Sequence, residues 1–103
     1  MIREALMLDI SDPQAPGLLH LTGDLFWTRY EQGHQISDLE KAIASYDKSV
    51  VLTAVSDSER SDRLDRLGAA LLNKFQRMGQ SLDLDRALRC FEDCLLIRPS
   101  GPR

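Results

Sequence analysis

Ser61-Asp62-Arg63-Leu64-Asp65-Arg66-Leu67-Gly68-Ala69-Ala70-Leu71-Leu72-Asn73-Lys74-Phe75-Gln76-Arg77 is the stretch that decides how this chain folds. Its apolar and small residues at 64, 67, 68, 71 and 75 have the three-and-four spacing of one helical stripe. Between them, acidic and basic residues alternate at separations of three and four, which is a solvated helix face carrying opposite charges. The reading predicts a helix over about 61–77. Gly79 follows its last periodic residue, where a left-handed glycine ends a helix at little cost. A second helix is predicted over about 83–97, with Leu84, Ala87, Leu88, Phe91 and Leu95 on one stripe, and Pro99 stops it.

The same pattern occurs earlier in the chain. Shifted by 45 residues, the sequence aligns with itself without a gap: Ser11-Asp12 falls on Ser56-Asp57, Leu19 on Leu64, and Gly23 on Gly68. Gln35 falls on Gln80, Asp38-Leu39 on Asp83-Leu84, and Ala42 on Ala87. Similar residues agree in the same register, as in Phe26/Leu71, Arg29/Lys74, Tyr30/Phe75, Ile43/Leu88 and Tyr46/Phe91. A period of this length marks a helical repeat rather than one irregular domain. The earlier copy is therefore read as helices over about 16–32 and 38–53. Pro16 sits in a first turn, Gly33 is the expected terminator, and Leu39, Ala42, Ile43, Tyr46 and Val50 form the inner stripe. Ser37-Asp38-Leu39-Glu40 has the form of a capping box, with the serine hydroxyl accepting from the Glu40 amide, and Asp83 is expected to cap the later copy. Residues 3–8 fall on 48–53, so 1–12 reads as the remnant second helix of a preceding unit, 13–57 as unit one and 58–103 as unit two.

Leu64-x-x-Leu67-Gly68-x-x-Leu71, then Ala87-x-x-x-Phe91, then Pro99, resembles the tetratricopeptide repeat family. In the first copy Leu19, Gly23, Phe26, Ala42 and Tyr46 follow the same order, with Thr22 where leucine is usual. The family's unit is about 34 residues, whereas this one is 45. Most of the surplus lengthens the first helix and its turn. Such long units are similar to those in arrays of fungal multidomain proteins, where they accompany caspase-like or nucleotide-binding domains. The resemblance implies an all-α fold, a right-handed stack of antiparallel helix hairpins in an α-solenoid, and a scaffold that binds other proteins. It also implies that Ala42 and Ala87 approach Gly23 and Gly68. A mid-helix glycine costs about 1 kcal/mol against alanine, so its recurrence in both copies calls for a close neighbour.

Composition narrows the function classes. The chain has 103 residues, 43% hydrophobic and 28% charged, with a net charge of −3. That describes one folded domain, and it lacks the one-sign basic stripe by which nucleic-acid binders release counterions. Neither a secretory signal nor a run of about 20 apolar residues is present, so the expectation is a cytoplasmic protein without membrane or nucleic-acid partners. Cys90 and Cys94, four apart on a helix, place their Cβ atoms about 5–6 Å from each other, too far for a disulfide. They supply two metal ligands where a closed zinc site needs four. No nucleophile motif, phosphate loop or dinucleotide fingerprint is present, so no catalytic, cofactor or metal residue is assigned.

The resemblance places a binding groove along the first helices of successive units. Residues about 100–140° from the core stripe are Asp65, Ala69, Leu72, Asn73 and Gln76, and their counterparts are His20, Asp24, Trp27, Thr28 and Glu31. Trp27 is the only tryptophan, a residue enriched among binding hot spots. All but Ala69 are taken as the candidate partner-binding residues. The polar members His20, Asp24, Asp65 and Asn73 are expected to form an acidic-leaning groove for a basic or amide-rich protein segment, even where Trp27 and Leu72 pack inward. The competing expectation packs Trp27 and Leu72 against the neighbouring unit and leaves a structural spacer. Repeat units also leave open ends, so the chain is expected to be a piece of a longer array or to self-associate through apolar residues such as Leu6, Leu8 and Leu96.

Overall fold

The structure, a computed structural model, describes residues 12–97, and the expected remnant helix of 1–12 lies almost wholly outside them. Four helices account for most of these residues: α1 (Ala15–Gly33), α2 (Ile36–Leu52), α3 (Arg60–Met78) and α4 (Ser81–Ile97). No strand occurs among the described residues. Consecutive helices pack on one another: α1 on α2, α2 on α3, and α3 on α4.

The 45-residue register survives at the level of single hydrogen bonds. Before α1, the Asp12 carboxylate accepts the Gln14 amide at 2.8 Å and its carbonyl accepts the Ala15 amide at 3.0 Å. Before α3, Asp57 does the same for Glu59 and Arg60, at 2.8 and 3.0 Å. At the far end of α1, His34 adopts a left-handed conformation (φ 59°) and its amide donates to the Tyr30 carbonyl. Gly79 takes the equivalent place after α3 (φ 77°), donating to Phe75. Gly33 is thus not the terminator expected of it. It belongs to the helix, and the left-handed residue is the next one, since the bond must reach back four positions to the last core aromatic, Tyr30.

The predicted caps also need correction. Gln35 is extended, and its carbonyl accepts the Asp38 amide at 3.0 Å, so α2 begins at Ile36 and Ser37 lies inside the first turn. No side-chain cap bond is made there. Ile36 packs against the core from the first helical position, which draws the helix start ahead of the serine. Likewise α4 begins at Ser81, and Asp83 is its third residue rather than its cap. Asp38 and Asp83 are both buried, with Arg29 at 3.7 Å and Lys74 at 3.9 Å respectively. This is another repeated pair, and a first-turn carboxylate is favoured by the helix dipole.

The core runs through all four helices, from Phe26 and Tyr30 through Leu39, Ala42 and Tyr46 to Leu64, Leu67, Leu71 and Ala87. Glycine lets the first helix of each unit approach the second, although the approaching residues are the aromatics and not Ala42 and Ala87. A Cβ on Gly23 would lie 2.6 Å from the Tyr46 ring, and one on Gly68 would lie 2.8 Å from the Phe91 ring. One further pair holds each hairpin shut: Ser49 donates to the Pro16 carbonyl at 2.7 Å, and Cys94 donates to the Ser61 carbonyl at 3.0 Å. Cys94 thus stands in for a serine hydroxyl at its place in the repeat.

Between the hairpins, Arg60 closes the end of α2. Its guanidinium donates to the carbonyls of Val50 and Thr53 at 2.9 and 2.7 Å, while Arg63 donates to the Thr53 hydroxyl. Two residues of the predicted inner stripe behave differently in the later copy. Ile43 and Val50 are buried at 7% and 6% exposure, whereas their counterparts Leu88 and Leu95 are exposed at 52% and 66%. Here α4 lacks, among the described residues, the third helix that α2 has in α3.

Candidate functional site

The side of the molecule where α1 and α3 lie across from each other holds the residues singled out from the sequence, and it sorts them into two groups. The first is already engaged within the chain. Asp24 accepts the Tyr46 hydroxyl at 2.6 Å, receives Arg66 at 3.4 Å and has His20 Nε2 at 3.7 Å. Asn73 accepts the Tyr30 hydroxyl at 2.7 Å, and Arg77 donates to that same hydroxyl oxygen at 2.8 Å. The Arg66–Asp24, Tyr30–Asn73 and Arg77–Tyr30 contacts tie the first unit to the second, while Tyr46–Asp24 ties α2 to α1. The expected acidic character of the groove is thereby reduced, because the Asp24 carboxylate is met by one arginine and one phenol.

Burial sets the protonation states here. Desolvation pushes the Tyr46 phenol far above its ordinary range, and the adjacent Asp24 carboxylate pushes it in the same direction, so Tyr46 is always the donor. Desolvation lowers His20 below its ordinary value, against the pull of Asp24 and with the help of Arg63 and Arg66. The His20 ring stacks at a tilt on Tyr46, with centroids 5.4 Å apart, and its Nδ1 is buried with no hydrogen-bond partner. Elsewhere, burial pushes the Cys90 thiol up to about 11, which leaves it protonated and unreactive at neutral pH.

The second group is exposed. Glu31, Asp65 and Gln76 face solvent, as does Thr28, whose hydroxyl donates back to the Asp24 carbonyl at 3.0 Å. Trp27 and Leu72 are intermediate, partly buried against the core. The Trp27 ring lies 5.6 Å from that of Tyr30. Beside it, Trp27, Tyr46, Arg66 and Ala69 line a notch of about 130 Å³, open to solvent between the two units. That is room for one small side chain. Arg66 and Tyr46 were not among the residues placed in the groove from the sequence, and Ala69 was placed on this face without a binding role. Their signal was present, however: copy one has tyrosine at 46 and aspartate at 24, and copy two has phenylalanine at 91 and alanine at 69. Hydroxyl and carboxylate are present together or absent together, as partners would be.

Among the described residues, no group of three or more His, Cys, Asp or Glu side chains is placed to hold a metal ion. No described helix is long and apolar enough to cross a membrane. Comparisons of the chain with protein-family models, curated proteins and solved structures find no match.

Proposed function

We propose that this chain is a protein-interaction module of tetratricopeptide type, two helix hairpins stacked in a right-handed solenoid, in which α1 and α3 hold a partner segment. The solenoid reading is supported by the duplicated bonds, since Asp12/Asp57, Ser49/Cys94, His34/Gly79 and Gly23/Gly68 do the same work in each unit. The observation that carries the binding reading is the notch between the units. It combines an apolar wall, the only tryptophan and an exposed guanidinium, the residue types that dominate binding energy. An aliphatic anchor of the partner fills it, and basic or amide side chains alongside meet Glu31, Asp65 and Gln76, which are exposed. The two thiols, which form no disulfide, fit a reducing, cytoplasmic setting. No catalytic step is assigned to the chain.

A second reading, a spacer with no ligand of its own, has one observation in its favour: Asp24 and Asn73 are consumed by bonds inside the chain. For the same reason they are poor positions to mutate. Ala69 is exposed on the rim of the notch, so Ala69→Leu fills it without removing a structural bond. Peptides selected from a displayed random library on the wild-type chain are titrated against Trp27 fluorescence. The binding reading expects peptides that shift Trp27 emission and lose at least tenfold in affinity on Ala69→Leu, with the melting temperature unchanged. If every selected peptide binds both proteins equally and leaves Trp27 unperturbed, the notch is idle and the spacer reading stands.

A further inference from the structure

The exposed face of α4 is a half-joint, and the chain carries its other half on α1. Inside the molecule, the joint between units is made by α2 against α3. On the α2 side it buries Ile43 and Val50, and the matching residues of α4, Leu88 and Leu95, are the exposed ones. The two hairpins share one fold, so the difference does not come from the helix pattern itself. Ala42 and Ala87 are buried alike, at 0% and 1%, while Val51 and Leu96 are exposed alike, at 72% and 79%. The largest changes of state fall at Leu88 and Leu95, with smaller losses of burial at Leu84, Phe91 and Cys94. The element that would cover this face in the second unit is therefore a helix of α3's kind.

On the α3 side of the same joint, Ala70 is fully buried and the Arg63 side chain is 11% exposed. Their counterparts on α1 are Leu25 and Leu18, at 56% and 37% exposure, with Leu21 between them at 57%. Leu18, Leu21 and Leu25 follow the three-and-four spacing of a single stripe. Where α3 presents the buried Ala70 and Arg63, with the half-exposed Arg66 between them, α1 presents three leucines to solvent. A first helix with an uncovered apolar face is the kind of element that fits α4.

We infer that two copies of this chain associate head to tail, the α1 stripe of one copy covering Leu88 and Leu95 of the other in the geometry of the α2–α3 joint. The contact is heterologous: each copy uses a different patch, so association leaves one patch of each kind open at the ends of the assembly. This inference does not rest on a partner filling the notch, which involves none of these leucines, although Arg66, the counterpart of Leu21, lines it.

Complementation tests it. Leu88→Glu and Leu25→Glu each place a charge on one patch at an exposed position, and circular dichroism melts establish that both variants remain folded. In sedimentation velocity over a concentration series, the wild-type chain is expected to form species heavier than the 11.6 kDa monomer, while each variant alone stays monomeric. An equal mixture of the two variants is expected to give a discrete dimer, because one intact patch of each kind remains. A wild-type chain that is monomeric up to about 1 mM, where binding would be worth only about 4 kcal/mol, overturns the inference. So does a Leu25→Glu chain that associates like wild type, which would mean that residues 1–11 cover α1 within the chain or that two α4 faces pair. Failure of the mixture to dimerise overturns it as well.

Discussion

Replacing Gly23 by alanine tests the packing of α1 on α2 in its most sensitive place. The added Cβ would sit 2.6 Å from Cδ1 and Cε1 of Tyr46 and 3.1 Å from Cγ, so the ring must retreat by roughly 0.8 Å to restore ordinary contact. It has nowhere to go. Tyr46 is 1% exposed, and its hydroxyl is held by Asp24 at 2.6 Å. Overpacking of this kind costs about 1–3 kcal/mol, against a helix-propensity gain of about 1 kcal/mol for alanine over glycine. The expected net loss is about 0–2 kcal/mol, which for a domain of this size lowers the melting temperature by up to about 16 °C. Gly68→Ala is the internal control. There the nearest atoms are Cε1 and Cζ of Phe91, at 2.8 and 2.9 Å, the far end of a partly exposed ring that carries no hydroxyl. That ring can swing outward, and the net change is expected within about 1 kcal/mol of zero. Thermal and urea unfolding give the two values. Tyr46→Phe, which releases the tether, should make Gly23→Ala less costly by about 0.5–1.5 kcal/mol in a double-mutant cycle. If Gly23→Ala raises the melting temperature, or proves as mild as Gly68→Ala, the tether from Asp24 does not hold the ring and the reasoning fails.

Two other perturbations have a definite sign. Ser45 is completely buried and its hydroxyl has no partner, so Ser45→Ala, which removes an unsatisfied group and improves helix propensity, should stabilise by about 1 kcal/mol; a loss in urea unfolding would show that the hydroxyl is bonded. The folded protein holds His20 below its unfolded value of 6.5, so the unfolded chain binds the proton first as pH falls. The stability present above pH 6.5 should therefore decline as pH drops through the folded-state value, and His20→Gln should flatten that slope relative to wild type in urea titrations at successive pH values.

The helices were legible because burial repeats with the helical period. What escaped was fixed by long-range geometry. Gly33 looked like a terminator on residue type alone, yet the shift from Gly79 points to His34, whose bond to Tyr30 makes it the left-handed residue. The capping box at Ser37 lost to the docking of Ile36, which no local motif encodes. Stripe residues Leu88 and Leu95 satisfied the periodicity and still face solvent, since periodicity says which face is apolar and not whether anything covers it. In the candidate site, Asp24 and Asn73 read as surface polar groups because their partners lie 22 and 43 residues away. Only the paired difference between the copies, Tyr46 with Asp24 and Phe91 with Ala69, carried a trace of the bond.

The neighbours of α2 and α4 also set how the molecule comes apart. With α1 on one side, α3 on the other and Arg60 bonded to its last carbonyls, α2 can unravel only when a neighbour leaves first. By contrast, among the described residues α4 packs mainly on α3 and exposes Leu88 and Leu95, as α1 packs mainly on α2 and exposes Leu18, Leu21 and Leu25. Local opening proceeds from the elements with fewest buried contacts to their neighbours. Opening therefore begins at the outer helices, α1 and α4, and reaches α2 and α3 last, so whatever docks on either outer helix acts as a brake on the whole chain.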